Sequence, residues 1–267
     1  TGLSIIDVGS ELTPLGQVLL AGLILIGGLG LMAITTFLQG FVQGHSGLRQ
    51  RLDKGRSLDE FGVGGVGPTF QRIMLSAGCV MGLGTLVLFG FGFTDIANPV
   101  ERLWASLFHC ISAYNNAGFG LRSNNLVDYQ GNPVVNGVIG SLIVSGGIGW
   151  RVTQDLWHQR IHWRKPRLWG RSRLSLHSRL VLRSTALLIV VGALGLLATE
   201  QFAPDGVIQT LSLWQRLQVT LFQSITTRTA GFNTVPLSIT TLSDAGLLLM
   251  IGLMFIGASP GGTGGGI

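Results

Sequence analysis

The sequence predicts an all-α integral membrane protein built from repeats of one unit: a helix, a re-entrant pore helix with its loop, and a second helix. The chain of 267 residues has a mean hydropathy of +0.49, and only 11% of its residues are charged. Soluble domains carry about 25% charged residues. A short phrase that ends in glycine and an apolar residue occurs three times, with its glycines at Gly2, Gly118 and Gly231. The low charge predicts the membrane, and the near-constant spacing predicts the repeat.

Seven apolar segments predict the helices of these units. Five are long enough to cross a bilayer, which takes about 20 residues. They are Leu15–Phe41, Phe70–Phe93, Val134–Leu156, Leu180–Thr199 and Leu242–Ala258, of which the last is short and breaks at a glycine-rich run. The other two, Leu103–Tyr114 and Leu213–Thr226, are too short to span, and each directly precedes a glycine phrase. Apolar stretches of about 10–14 residues are typical of re-entrant segments, so we expect these two to be pore helices.

The distribution of basic residues predicts the topology. Of 18 Lys and Arg, five lie between Arg49 and Arg72 and nine between Arg151 and Arg183. Two basic loops on one side mark the cytoplasmic face by the positive-inside rule. The three glycine phrases then fall together on the outer side. A basic chain can also bind nucleic acid, but this clustering favours membrane topology, and we expect no nucleic-acid partner.

The predicted organisation is three incomplete or complete units joined by basic loops. The end of repeat 1 occupies residues 1–45, a cytoplasmic loop 46–69, repeat 2 residues 70–157, a basic loop 158–177, and repeat 3 residues 178–267. A second repeated motif supports the repeat, because the glycine-rich segment Gly27–Gly30 lies 119 residues before the similar segment Gly146–Gly149. We therefore expect a fragment that lacks the fourth unit and the start of the first.

The glycine phrases have the chemistry of an ion selectivity filter. A dehydrated potassium ion needs a ring of oxygens, which inward-facing backbone carbonyls from several loops supply. Glycine permits the backbone angles that such a loop needs. A single phrase of this kind would be an ordinary glycine turn, but three at matched intervals disfavour that alternative. The predicted filter residues are Thr1 and Gly2 (strip 1), Asn116, Ala117 and Gly118 (strip 2), and Thr229, Ala230 and Gly231 (strip 3).

Two polar residues next to the strips predict a scaffold rather than an ion contact. An arginine lining the pore would repel cations, so we expect the side chain of Arg228 to point away from the ion path and to bond nearby carbonyls. The amide of Asn115 is expected to brace its loop in the same way.

Three stretches resemble the Trk/Ktr/HKT potassium transporter superfamily, and the resemblance extends over the whole chain. They are Ser112–Gly120, Thr226–Thr234 and Phe255–Gly266. The pattern is most like the bacterial Ktr membrane subunits, although the sequence leaves the Trk branch open. The resemblance implies a potassium-channel-like, pseudo-fourfold pore, in which glycine at the filter position goes with potassium and serine with sodium preference.

The resemblance also implies that the glycine-rich run is an intramembrane gate loop beneath the filter. The implied gate residues are Gly257, Ser259, Pro260, Gly261, Gly262, Thr263, Gly264 and Gly265. Each glycine costs a helix about 1 kcal/mol against alanine, and proline removes a backbone donor, so this segment is easily rearranged. A phosphate-binding loop is the rival interpretation, but the run lacks the GxxxxGK[ST] pattern.

The remaining expectations concern function and partners. The substrate is potassium, sodium is a candidate coupling ion, and no covalently bound cofactor is expected. The resemblance implies a homodimer in the bacterial plasma (inner) membrane with a cytoplasmic nucleotide-binding regulatory subunit of the KtrA/TrkA kind. The basic segment Arg160–Arg173 fits either that partner or anionic membrane lipid. The chain has no HExxH motif, which favours a non-enzyme. The alternative is a proton- or sodium-coupled secondary transporter of another cation. It is disfavoured because acidic residues occur only at the ends of the predicted spans, at Asp155 and Asp244.

Overall fold

A computed structural model describes residues 7–44, 66–163, 174–202, 207–237 and 242–265 of the chain. Within these ranges the regular structure is helical, without strands. In chain order the α-helices are α1 (Pro14–Gly44), α2 (Val66–Val87), α3 (Pro99–Tyr114), α4 (Pro133–Gly147), α5 (Trp150–Trp163), α6 (Leu176–Gln201), α7 (Val207–Thr210), α8 (Leu213–Thr226) and α9 (Asp244–Ile256). A π turn, Leu88–Gly92, continues α2, and a 3-10 turn covers Val127–Tyr129.

The two segments predicted as pore helices form the short helices α3 and α8, and we keep the name pore helix for both. Helix α3 begins after the N-cap Asn98, whose side chain accepts a hydrogen bond from the Val100 N–H at 3.0 Å. Helix α8 begins with a capping box, in which Ser212 and Gln215 satisfy each other's backbone N–H groups. Such caps supply partners for the free N–H groups of a helix start. Both helices lead directly into non-helical backbone.

The segment Val134–Leu156, predicted as one span, is not a single helix. Helices α4 and α5 meet at an angle of 101°. The break, which we call the elbow, is Ile148–Gly149, where Gly149 has a φ of +83°. At 15 residues, α4 is about 22 Å long, less than the hydrocarbon thickness of about 30 Å. The apolar pattern runs on across the elbow, and only the left-handed backbone of Gly149 interrupts the helix.

The other long segments behave as helices of a membrane protein. Phe70–Gly92 and Leu176–Gln201 are each long and apolar enough to cross a bilayer, and the bent pair α4 and α5 is a third candidate within the described ranges. Their apolar side chains are exposed on one face, as with Leu194 of α6, which is 59% exposed. The last predicted span forms the 13-residue helix α9, which ends at the glycine run as expected.

Helix packing places the pore helices inside. Helix α3 packs between α1, α2 and α4, and α8 packs between α4 and α6. The second helix of one predicted repeat therefore lies against the pore helix of the next, as α1 does with α3 and α4 with α8. The largest fully buried side chains include Phe108 of α3 and Phe222 of α8, together with Phe93 and Phe232. This core holds the two strips that follow α3 and α8.

Candidate ion-conducting site

Strips 2 and 3 have the same backbone conformation. Asn116 and Gly118 have φ values of +50° and +79°, and the equivalent Thr229 and Gly231 have +67° and +84°. The alanine between each pair does not have a positive φ. A positive φ is uncommon for residues other than glycine, above all for a β-branched residue such as threonine. Its recurrence at matching positions therefore indicates that the two strips share one conformation.

The two strips are in direct contact. A Cβ atom built on Gly118 would lie 2.5 Å from the carbonyl oxygen of Ala230 and 2.7 Å from the Cα of Gly231. A side chain at position 118 would therefore collide with backbone. The six predicted residues of strips 2 and 3 come together in space, while Thr1 and Gly2 lie outside the described residues.

Strip 2 is braced by amides and by the end of its pore helix. The side chain of Asn115 donates from Nδ2 to the Ile111 carbonyl at 2.8 Å. The backbone N–H of Ala117 donates to the Ser112 carbonyl at 2.9 Å. Helix α1 leaves room for this brace, because a Cβ atom on Gly28 would overlap the Asn115 side chain. The predicted scaffold position of Asn115 thus has a hydrogen bond to the pore helix.

Strip 3 is braced by hydroxyl groups. Thr226 donates from Oγ1 to the Phe232 carbonyl at 2.7 Å, which closes the strip back onto the end of α8. The carbonyl of Thr226 accepts a hydrogen bond from the Ala230 N–H at 3.0 Å. Thr227 donates to the Ser224 carbonyl at 2.7 Å. Both threonines are buried, so these bonds are made away from water.

Arg228 lines a small cavity of about 10 Å³ behind strip 3. The cavity wall is formed by Ile143, Val144, Gly147 and Ile148 at the end of α4, and by Thr185 of α6. Arg228 is only 7% exposed, and within the described residues its Nη1 has no hydrogen-bond partner. A cation is stabilised at a helix C-terminus by the aligned peptide dipoles. The end of α4 is therefore the nearest favourable environment for this charge.

The predicted gate loop, Gly257–Gly265, folds as a closed loop after α9. Helix α9 ends at Gly257, with a φ of +64°. The Gly262 N–H donates to the Ser259 carbonyl at 3.1 Å, across a turn with Pro260 second and Gly261 (φ +85°) third. Proline followed by a left-handed glycine is the signature of a type II turn.

The same loop is held against strip 3. Its ends are joined by the Ala258 N–H, which donates to the Gly265 carbonyl at 2.7 Å. The Gly265 N–H in turn donates to Oγ1 of Thr229 at 3.0 Å. The structure thus brings the predicted gate residues to the predicted filter residues.

Two asparagines that the sequence pattern does not single out connect the segments after the strips. Asn125, in left-handed backbone with a φ of +59°, accepts the Asn233 N–H on its Oδ1 at 3.3 Å. The neighbouring Leu126 N–H donates to the Asn233 carbonyl at 3.0 Å. The Nδ2 of Asn125 also lies 3.5 Å from the Gly118 carbonyl. Asparagine is enriched in left-handed turns, and this preference is the sequence signal by which Asn125 could have been found.

An ion-pair cluster lies beside the segment that follows strip 2. Arg122 pairs with Asp95 and, at 3.2 Å, with Asp128. Its guanidinium group lies 4.8 Å from the centre of the Tyr129 ring, and the Tyr129 hydroxyl donates to Asp95 at 2.7 Å. Burial opposes ionisation of Asp95, but the Tyr129 hydrogen bond and the Arg122 charge outweigh it, and the pKa of Asp95 is lowered. The cluster fixes a loop that begins only a few residues after Gly118.

Comparison with known proteins gives relatives along the whole chain. It is 34% identical to Ktr system potassium uptake protein B of Bacillus subtilis and of Vibrio alginolyticus, over 100% of this chain and 57% and 56% of those proteins. It is 31% identical to the potassium/sodium uptake protein NtpJ of Enterococcus hirae, again over 100% of this chain and 56% of that protein. The chain therefore spans about half the length of these relatives.

A solved structure shares the fold. The crystal structure of the potassium transporter TrkH from Vibrio parahaemolyticus matches with a TM-score of 0.68 and 18% identity, over 99% of this chain and 48% of that one. The family model of TrkH, described as a cation transport protein, matches residues 1–267. With its apolar helices, its paired strips and this match over its full extent, the chain is a multi-pass membrane protein that belongs to the TrkH family of cation transport proteins.

Proposed function

We propose that the chain forms part of the pore of a potassium uptake system, in which monovalent cations pass a carbonyl-lined selectivity filter. The observation that carries the proposal is the matched conformation of strips 2 and 3, with Gly118 set against the Ala230 carbonyl. Non-helical backbone at membrane depth is tolerated only where it is buried or lines a cavity. A ring of carbonyl oxygens around an ion requires strips of this kind that lie in contact with one another.

In the proposed mechanism, backbone carbonyls of the strips replace the water shell of the ion. The residues assigned to this task are Asn116, Ala117, Gly118, Thr229, Ala230 and Gly231, and a pseudo-fourfold pore needs two more strips. Thr1 and Gly2 are the candidates for one of them. The packing of α1 on α3 and of α4 on α8 supports this repeated arrangement. Arg228 keeps its charge behind the strip, where it supports the backbone without facing the ion.

Potassium is the proposed substrate, because each of the three filter positions holds glycine and the relatives are named for potassium uptake. Sodium is proposed as a candidate coupling ion, which the name of the Enterococcus hirae relative supports. The chemistry assigned to the protein is binding and passage, with no bond made or broken. We therefore place it outside the enzymes.

The gate loop is proposed to control passage beneath the filter. It has few side chains and two left-handed glycines, Gly257 and Gly261, and its contacts are largely backbone hydrogen bonds. Such a segment has a low cost of local opening. Closure would be favoured by the bond from Gly265 to Thr229.

The proposed setting is the bacterial plasma membrane. The basic segment between Arg151 and Arg183 supports a cytoplasmic face that meets anionic lipid or a nucleotide-binding regulatory subunit of the KtrA/TrkA kind. Assembly as a homodimer is proposed from the family resemblance. These assignments concern the longer protein and rest on the pore proposal.

The test is potassium uptake by the full-length parent in bacteria that lack their own potassium uptake systems. Wild type should restore growth on limiting potassium, and Gly231→Asp should not, because position 231 needs a φ of +84° and aspartate adds a charge to the strip. Gly120→Ala is the matched control, since a Cβ atom there would meet no atom closer than 3.4 Å. Growth with Gly231→Asp at wild-type rate would refute the ion path.

A missing partner is separated from a wrong assignment by one further strain. If wild type fails despite expression in the membrane, the assay is repeated with a co-expressed KtrA-like subunit. Growth restored in that strain supports the uptake proposal and the partner together. Continued failure in both strains refutes potassium as the substrate.

A further inference from the structure

The gate loop is seated on repeat 2 as well as on its own repeat. The Ser259 N–H donates to the Gly147 carbonyl at 3.2 Å, and the Thr263 N–H donates to the Gly146 carbonyl at 3.0 Å. These carbonyls lie at the C-terminus of α4, where the helix itself supplies no N–H group to donate to them. The fit is close, since a Cβ atom on Gly262 would lie 2.5 Å from the Gly147 oxygen. The C-terminal end of α4, directly before the elbow, is therefore the seat of the loop.

One side chain of the loop extends from this seat to strip 2. Thr263 is 7% exposed. Its hydroxyl donates to the Tyr114 carbonyl at 2.8 Å and accepts from Nδ2 of Asn116 at 3.0 Å. A threonine hydroxyl has one donor and two acceptor sites, so its only proton is committed to Tyr114. Tyr114 is the last residue of pore helix α3, and Asn116 opens strip 2.

The two hydrogen bonds of Thr263 join the gate loop, which moves in the proposed mechanism, to pore helix α3 and strip 2, which the mechanism keeps fixed. The partners of Thr263 lie 147 and 149 residues away in the chain. Within the described residues, the other hydrogen bond from the gate loop to a strip runs from the Gly265 N–H to Oγ1 of Thr229. Strips 2 and 3 are thus both hydrogen-bonded to the loop, and of these two only strip 2 is connected through a side chain of the loop.

Space around the hydroxyl is limited on the side of α4. A Cβ atom on Gly146 would overlap the Tyr114 carbonyl and would lie 2.6 Å from Oγ1 of Thr263. Glycine at position 146 is what lets the hydroxyl reach the end of the pore helix. The arrangement therefore depends on residues of α3, α4 and the gate loop together.

We propose that Thr263 is a positioning residue that couples the gate loop to strip 2. With the loop seated, its hydroxyl orients the Asn116 amide and satisfies the last carbonyl of the pore helix. When the loop leaves its seat, both bonds break and strip 2 loses that support. The state of the gate then changes the geometry of the filter. This role rests on the proposed pore function. It makes Thr263 contribute both to closure of the gate and to the ion selectivity of strip 2.

The test compares Thr263→Val with Thr263→Ser in the full-length parent, expressed in bacteria that lack potassium uptake systems. Valine removes the hydroxyl at nearly constant volume, and serine keeps it. We expect Thr263→Val to raise the potassium uptake rate and to lower the potassium-to-sodium uptake ratio, each about fivefold, as loss of a hydrogen bond of ordinary strength would produce. Thr263→Ser should restore both values to within about twofold of wild type, which is less than one such bond.

Thr199→Val is the matched control, because in the part of the chain that the structure describes the Thr199 hydroxyl bonds within its own helix, to the Leu196 carbonyl at 3.2 Å. If Thr263→Val does not reach the membrane, Thr263→Ala removes the same two bonds without the added methyl group and is measured in the same way. A change in rate with an unchanged ion ratio would overturn the coupling, and so would a serine variant as altered as the valine one. If wild type itself takes up no potassium, the pore proposal fails, which is a different result from wild-type uptake with an inert Thr263→Val.

Discussion

Strips 2 and 3 follow the same backbone path on different supports. Their left-handed residues match in position and nearly in angle, at +50° and +79° against +67° and +84°. Strip 2 is held by the amide of Asn115, whereas the corresponding position in strip 3 is Arg228, which is buried and lines a small cavity. The backbone conformation is constant and the side chains around it are not. A function carried by carbonyl oxygens predicts this difference, because the ion meets the backbone.

The helices behind the strips show a second contrast. In repeat 2 the break after α4 is a two-residue elbow, and in repeat 3 the break after α9 is a loop of nine residues. Both begin near a left-handed glycine, Gly149 and Gly257. The short break offers fixed carbonyls, and the long one donates N–H groups to them. Predicted repeat 2 therefore supplies the carbonyl acceptors that hold the gate loop, and predicted repeat 3 supplies the loop itself.

The largest expected difference between the strips concerns Arg228. Truncation in Arg228→Ala removes buried aliphatic groups and enlarges a cavity, so we expect the free energy of unfolding to fall by about 2–3 kcal/mol. Arg228→Met keeps the stem without the charge and should recover most of that loss. Thermal unfolding of the detergent-solubilised full-length protein measures both. If alanine at position 228 leaves stability unchanged, strip 3 does not depend on this side chain.

A smaller effect is expected at the equivalent position of strip 2. Asn115→Ala removes the 2.8 Å hydrogen bond to Ile111, and such a bond contributes about 1 kcal/mol. The same unfolding measurement should therefore show a smaller loss than Arg228→Ala. An equal or larger loss at position 115 would reverse the ranking of the two supports.

The smallest effect is a pH dependence in the loop after strip 2. The pKa of Asp95 is lowered in the folded protein, so its contribution to stability is complete above the unfolded value of about 3.9 and is lost as the pH falls through the folded value. Its side chain is 47% exposed, which keeps the effect small through solvent screening. The unfolding temperature, followed from about pH 6 to about pH 3, should fall less in Asp95→Asn than in wild type. Identical curves would mean that the Arg122 cluster contributes nothing.

Much of the fold follows from patterns that are local in the sequence. The pore helix Leu213–Thr226 was predicted with its observed bounds, because an apolar stretch between a capping serine and a run of threonines has clear ends. The family match and the helical model confirm the resemblance and the fold class. The bend within the predicted third span is what the apolar pattern did not predict. Hydropathy averages over many residues, and one left-handed glycine at position 149 changes the direction of the chain without changing that average.

The contacts between distant residues could not be read from the sequence. The phrase spacing predicted that strips 2 and 3 are equivalent, but it did not show that Gly118 abuts Ala230. It placed Thr263 in a gate without its bonds to Tyr114 and Asn116. Such pairs depend on how α4 bends and how the loop folds back. The roles of the filter and gate residues remain predictions.

The central claim is that potassium is selected by the backbone of the strips, and Gly118→Ser in the full-length parent tests it most directly. Serine would have to adopt a φ of +79° and would meet the Ala230 carbonyl, strain of order 1–3 kcal/mol. The potassium-to-sodium uptake ratio should fall about tenfold, while Gly120→Ala, two residues along the same loop, should keep the wild-type ratio. A Gly118→Ser protein that is present in the membrane, transports potassium and retains the wild-type ratio would contradict the claim.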